Sequence, residues 1–178
     1  MEQVILVDTQ DEQVGTMEKQ EAHITGLLHR AVSVFIFNTQ GQLLLQQRAA
    51  GKYHSALQWT NTCCSHPRPG EDAAAAAHRR LQEEMGFSCQ LHKSFTFIYN
   101  ASLSNGLIEH EYDHVFTGIS NTIPVPDAAE VAQYTYMSLP DIKAAIAATP
   151  QQFTPWFRLC IADWEAPLLQ NLTLPTDS

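Results

Sequence analysis

No apolar run in this 178-residue chain approaches the roughly 20 residues that a membrane-spanning helix needs. Nor does Met1 to Gln10 set a basic stretch ahead of a long apolar one, as an export signal would. The expected location is the cytoplasm, with no membrane partner. Cysteine is scarce, and two of the four residues, Cys63 and Cys64, are adjacent, with Cα atoms about 3.8 Å apart, closer than normal disulfides tolerate. With Cys89 and Cys160 they are expected to be free thiols rather than a disulfide framework. Positive charge is also scarce. Ten basic against nineteen acidic residues leave a net charge of −9, which disfavours a nucleic-acid backbone as partner. Repeats and low-complexity linkers are absent apart from one alanine run.

What remains is a chain of a length that suits one domain over residues 1–178, with 44% hydrophobic residues to fill a core. Five of its ten basic residues, Arg48, Lys52, Arg68, Arg79 and Arg80, fall between positions 48 and 80. That clustering fits a local positive pocket for a small anion.

Gln3 to Val7 reads as an edge strand, followed by turn-prone Thr9 to Thr16 and a charged segment leading to His23. His23 and His29 would point apart on a continuous helix, so shared ligation needs a bend, which Gly26 permits. Ala31 to Phe37 and Leu43 to Arg48 form a predicted hairpin around Asn38 to Gln42. Phe87 to Tyr99 alternates as one or two strands before a turn over Asn100 to Gly106. In the strand Leu107 to Phe116, period two puts Glu109, Glu111 and Asp113 on one face, a repulsive arrangement unless solvated or metal-bound. His54, His78, His92, His110 and His114 read as surface histidines. Val131 to Leu139 is a further strand and Pro140 to Ala148 a short helix. A terminal helix runs from Pro155 or Trp156 through Cys160, Trp164 and Leu168, and Asn171 to Ser178 is expected to fray.

The stretch from Trp59 to Phe87 carries the chemistry. Cys64 and His66 stand two apart on a tight connection, followed by Pro67-Arg68-Pro69-Gly70 and an alanine-rich helix from Glu71-Asp72 to Gly86. Glu83 and Glu84 close that helix, where the macrodipole disfavours carboxylates. Either a bound cation or i,i+4 pairing with Arg79 and Arg80 would relieve the conflict.

The paired glutamates resemble the Nudix box, with Ser65 at its first glycine position and Glu71, Arg79, Leu81, Glu83, Glu84, Gly86 and Phe87 in register. Ser65 departs from that pattern, as does Arg80, which stands where the box has a glutamate; one fewer oxygen ligand for magnesium argues against ordinary pyrophosphate hydrolysis. Trp59-Thr60-Asn61 with Cys64-Ser65-His66-Pro67 is similar to the type 1 isopentenyl-diphosphate delta-isomerases, a Nudix-fold branch. The likeness extends to His23, Leu28-His29-Arg30-Ala31, Arg48, Lys52, Tyr99, Glu109-His110-Glu111 and Thr154-Pro155-Trp156.

The resemblance implies an α+β fold, a Nudix-type mixed sheet sandwiched by helices. It implies an enzyme of isoprenoid precursor synthesis that moves a double bond between isopentenyl and dimethylallyl diphosphate through a carbocation-like state. Cys64 and Glu111, with Tyr99 beside it, would be the acid/base groups, and Arg48, Lys52 and Arg80 would hold the diphosphate. Trp156 would offer its indole face to the cation. One divalent metal, manganese or zinc, would sit on His23, His29, His66, Glu109 and Glu111. A magnesium ion would bridge the diphosphate to Glu84 and the Cys64 carbonyl. Expected partners are this small-molecule diphosphate and no other chain, the protein being a monomer.

Overall fold

A computed structural model of the chain describes residues 1–103, 105–170 and 172. Nine strands join one sheet: β1 (Gln3–Val7), β2 (Gln13–Glu18), β3 (His29–Phe37), β4 (Leu43–Arg48), β5 (Trp59–Thr60), β6 (Cys63–Ser65), β7 (His92–Ser102), β8 (Ile108–Ile119) and β9 (Val131–Met137). Among the described residues five α-helices accompany them: α1 (Lys19–Thr25), α2 (Ala73–Met85), α3 (Leu139–Ala148), α4 (Pro155–Asp163) and α5 (Glu165–Gln170). The sheet is mixed, since β3 runs parallel to β8 and the other pairs are antiparallel.

Alternation along the central strands sorts side chains into two cores. Val32, Val34, Ile36 and Leu44 pack under α2 with Ala76, Ala77, Leu81 and Met85. Phe35, Phe37, Leu43 and Leu45 pack on the other side with Ile142 of α3, Phe157 and Ile161 of α4 and Leu168 of α5. This is the sandwiched α+β architecture read from the sequence. No helix among the described residues is long and apolar enough to cross a membrane.

The functional cleft originates where β3 and β4 part. They pair only at Phe37 and Leu43, and the chain from Trp59 to Ser65 wedges between them, pairing first with β4 and then with β3. Side chains replace the missing ladder. The Thr62 hydroxyl accepts from the Ile36 N–H (2.9 Å) and donates to the Leu44 carbonyl (2.6 Å), while Asn61 Nδ2 donates to the carbonyls of Val34 (3.1 Å) and Cys63 (2.9 Å). Thr62→Val keeps the shape but orphans two buried backbone groups. It should destabilise the fold by at least about 2 kcal/mol in a urea titration, and a loss under about 0.5 kcal/mol would mean that the bridge is not needed.

Helix ends follow their caps. Asp72 Oδ1 accepts from Ala75 N–H (2.7 Å) to start α2, so the acids at 71 and 72 precede the helix rather than open it. Gly86 ends α2 at φ 76°, and a Cβ there would lie 2.4 Å from the Val125 carbonyl oxygen.

Several expectations need correction. Strand β1 is interior, between β2 and β3, and the polar segment read as a turn supplies the edge strand β2. The predicted terminal helix breaks at Trp164, because Pro167 lacks the N–H that a continuing helix would direct to Asp163, and the Trp164 ring stacks on Phe95 (centroids 4.6 Å apart). Strand β7 continues to Ser102, into the stretch read as a turn. Except for Leu172, the expected frayed tail lies outside the described residues.

Candidate active site

A cavity of about 110 Å³ opens beside the wedge, lined by Arg48, Lys52, Cys64, His66, Arg80, Glu84, Tyr99, Glu109, Glu111 and Trp156, and also by Tyr53, His54 and Glu130. Of the twelve residues to which the resemblance gives a catalytic, substrate-binding or metal role, all but His23 and His29 line it; those two are fully buried beside Glu109 and Glu111.

The acidic face of β8 points inward, so the solvated alternative is excluded: Glu109 is 1%, Glu111 6% and Asp113 1% exposed. Register explains the assembly. Glu111 sits directly between His29 on β3 and Tyr99 on β7, and Tyr99 donates its hydroxyl hydrogen to Glu111 Oε1. His23 reaches the cluster because α1 ends at Gly26 in the left-handed conformation (φ 72°), supplying the bend.

Nδ1 of His23 donates to the Lys19 carbonyl (2.7 Å) and Nδ1 of His29 to the Leu27 carbonyl (2.9 Å), so each ring turns its Nε2 toward the carboxylates. His23 Nε2 lies 2.6 Å from Glu109 Oε1, and His66 Nε2 lies 3.2 Å from Glu111 Oε2. His29 Nε2, His66 Nε2 and Glu109 Oε2 are buried with no hydrogen-bond partner among the described residues. One ligand atom each from His23, His29, His66 and Glu109 fall within 4.8 Å of one another. Convergent acceptors left unpaired are the donor set of a divalent-cation site, and these residues fit one. Glu111 stands at its edge, 3.9 Å from His29 Nε2.

Electrostatics divide the histidines. Burial drives the imidazolium form out of His29 and His66, lowering both to about 3. Burial also opposes charge on His23, but its bond to Glu109 outweighs that and raises it. Glu109, which burial alone would push up, is held far below the carboxylate range by His23 and His54. For stability the signs differ. A raised histidine adds stability that is complete below its unfolded value near 6.5, whereas a depressed one adds a loss that grows as pH falls below 6.5 toward its folded value. His29, His66, His54 and His114 are all depressed, against one raised, so metal-free protein should weaken from pH 6.5 downward. His29 alone should cost about 2 kcal/mol by pH 5. Urea midpoints at pH 7, 6 and 5 check this, and a flat profile would contradict the neutral-histidine assignment.

Strand β6 settles the two cysteines. Its alternation buries Cys63 in the core under α2 and turns Cys64 to the other face. The Cys64 thiol donates to Asn61 Oδ1 (3.0 Å) and accepts from the Trp156 indole N–H (3.1 Å). Burial, with Asp113 nearby, pushes the thiol up to about 12 against the opposing Trp156 bond, so Cys64 holds its proton at neutral pH. Trp156 thus meets Cys64 with its edge, and the Arg48 guanidinium lies 5.6 Å over its ring.

Arg80 and Lys52 line the same cavity. Arg80 bonds Glu83 (2.6 Å) and Glu84 (2.9 Å), and Arg79 pairs with Glu83 (3.2 Å), so the i,i+4 alternative is realised. The two glutamates nonetheless diverge: the Glu83 side chain is 41% exposed, whereas that of Glu84 is 4% exposed and accepts from Gln46 Nε2 (3.1 Å) inside the cavity. Lys52 pairs with Glu130.

Two histidines read as surface residues are buried. His54 bonds Glu109 Oε1 through Nε2 (2.9 Å), on a loop pinned at its base by reciprocal bonds between Arg48 and residues 57 and 58. Ser55 and Leu57 there adopt positive φ without being glycine, local strain of the kind found at functional sites. His114 bonds Asp11 Oδ2 (2.9 Å) on the face of the sheet away from the cavity. His78 and His92 are exposed as expected, and part-buried His110 donates to the Gly26 carbonyl (2.9 Å). Gln46 and Glu130 also escaped the sequence reading, since nothing local distinguishes them from ordinary polar residues.

Residues 27–157 match the NUDIX domain. The fold agrees: a Deinococcus radiodurans protein of known structure superposes with a TM-score of 0.69 at 21% identity, over 83% of this chain and 90% of its own. Sheet, helix and paired glutamates therefore define a Nudix-domain protein. Within that class, this chain belongs to the isopentenyl-diphosphate Delta-isomerase family. It is 54% identical to the isopentenyl-diphosphate Delta-isomerase of Pectobacterium atrosepticum over 90% of this chain and 89% of the relative. It is 48% identical to that of Burkholderia multivorans over 96% and 97%.

Proposed function

We infer that this enzyme interconverts isopentenyl and dimethylallyl diphosphate, and that Cys64 and Glu111 carry the proton transfers. The observation that supports this most directly is a protonated thiol and a carboxyl group lining one cavity, each held by an aromatic partner, Trp156 and Tyr99. The two isomers differ by one proton added at the terminal alkene carbon and one removed from the methylene on the other side of the branched carbon. Protonation leaves a tertiary cation, and loss of the second proton restores a double bond one position along. What acts as acid in one direction acts as base in the other, so Cys64 and Glu111 exchange roles with the direction of reaction.

Their neighbours suit this chemistry. The indole N–H on Cys64 Sγ steadies the thiolate left after proton donation, and the Tyr99 hydroxyl orients Glu111. The Tyr99 and Trp156 rings add electron-rich but non-nucleophilic surface to the cavity lining, although Arg48 already lies over the Trp156 ring. Arg48, Lys52 and Arg80 bind the diphosphate, for which guanidinium groups are suited by their bidentate geometry. Arg80 in place of a third box carboxylate favours holding a diphosphate over cleaving it.

His23, His29, His66, Glu109 and Glu111 would hold one divalent metal, and mixed imidazole and carboxylate donors suit manganese or zinc. Glu84 and the Cys64 carbonyl, oxygen donors beside the cations, would hold a magnesium ion with the diphosphate. Bound there, the metals supply positive charge that neutralises the carboxylates and the substrate's phosphates. Proton NMR of isopentenyl diphosphate incubated with protein, magnesium and manganese tests the reading. New dimethylallyl signals are expected, and release of phosphate without them would assign the chain to hydrolysis instead.

A further inference from the structure

Lys52 and Arg80, which the reading above assigns to the diphosphate, already share an anion. Lys52 Nζ pairs with Oε2 of Glu130, and Arg80 Nη2 lies 3.3 Å from its Oε1, so one carboxylate spans two cations from different elements. Glu130 is held in place from both sides. Its carbonyl accepts from the Ala49 N–H (3.0 Å), next to Arg48, and the segment before it docks on α2 through Val125 N–H to the Met85 carbonyl (2.9 Å) and Asp127 N–H to the Glu84 carbonyl (2.9 Å). Its carboxylate lines the same cavity as Arg48, Lys52, Arg80 and Glu84. Arg80 does not need it for orientation, because Glu83 and Glu84 fix both of its terminal nitrogens.

We propose that Glu130 is a built-in stand-in for the diphosphate, and that substrate enters by displacing this carboxylate from Lys52 and Arg80. The proposal rests on the assignment of those two cations to the diphosphate. While the pairs are closed the cations are unavailable, so apparent anion affinity falls in proportion to the fraction of molecules that are open. A gate closed about four-fifths to nine-tenths of the time weakens binding about five- to tenfold. Every anion is weakened by the same factor, so only ligands that bind tightly, as a diphosphate with magnesium does, occupy the site at low concentration. Between substrates the gate also keeps the Lys52 ammonium, in a half-buried cleft, from remaining uncompensated.

Glu130→Gln removes the charge at nearly constant shape, and Lys52→Gln removes one of the cations. Titration calorimetry with inorganic diphosphate in magnesium should show Glu130→Gln binding about five- to tenfold tighter than the parent. The KM for isopentenyl diphosphate should fall by a similar factor, a larger change than any in kcat. Lys52→Gln should bind more weakly. Weaker diphosphate binding by Glu130→Gln would overturn the proposal, since Glu130 would then position the cations or hold magnesium. An unchanged affinity in Glu130→Gln, with Lys52→Gln weakened, would sink the gate alone. No change in either variant would remove the assignment of these cations and the gate together. Glu130→Asp, with its shorter reach to both cations, should fall between parent and Glu130→Gln, and tighter binding than Glu130→Gln would count against displacement.

Discussion

Cys64→Ala should lose at least about 10²-fold, and up to about 10⁴-fold, in kcat, while Cys63→Ala retains most of the parent's turnover. The thiol of Cys64 alone faces the cavity, set between Asn61 Oδ1 and the Trp156 indole N–H, and it holds its proton at neutral pH. Cys63 lies under α2 and is fully buried, so its truncation should cost stability of about 1 kcal/mol rather than chemistry. Cys64→Ser should not restore activity, because a hydroxyl is far less acidic than a thiol and its oxygen fills the Asn61–Trp156 slot poorly. An alkylating substrate analogue should label Cys64 ahead of the other three cysteines in a peptide map. Turnover that survives Cys64→Ala and collapses in Cys63→Ala would overturn the mechanism.

Stripping divalent metal should abolish detectable isomerisation and loosen the N-terminal third of the site. His23 is the one side chain by which α1 reaches the Glu109 carboxylate, and without a cation His29 Nε2 and Glu109 Oε2 remain buried and unpaired. Hydrogen exchange should accelerate across residues 19–29 on chelation and recover when manganese or zinc is returned. His29→Ala should reduce bound metal, measured by elemental analysis, by about tenfold or more at sub-saturating concentration. Full metal content in that variant, or unchanged exchange after chelation, would place the metal elsewhere.

Much of the site was legible because its residues break local rules. Carboxylates at the end of α2, three acids on one strand face and two histidines six apart each pose a problem that the fold resolves in or beside the cavity. Period two in β8 and the extended wedge at Cys63–Cys64 gave side-chain direction directly. Illegible were residues whose partners come from distant elements. His54 looks like a surface histidine until Glu109 is brought to it, and Glu130 looks like loop polarity until β9 pairs with β4 and carries it to Lys52. The role of Thr62 was hidden for the same reason, since its two hydrogen bonds exist only because β3 and β4 part. The break at Trp164 was readable from Pro167, but apolar spacing on both sides masked it.

The parallel pairing of β3 with β8 is a long-range contact that bears on folding. His29 and Glu111 meet only after the hairpin, wedge, α2 and β7 lying between them in sequence have been gathered, a closure of the long-range kind that slows folding. Glu109 belongs to the same strand, so the four converging donors exist only once that pairing is made. The expectation is that a cation acts on the chain after its rate-limiting step, as a brake on opening rather than a template for assembly. In a denaturant chevron, added manganese or zinc should depress the unfolding limb and leave the refolding limb where it stands.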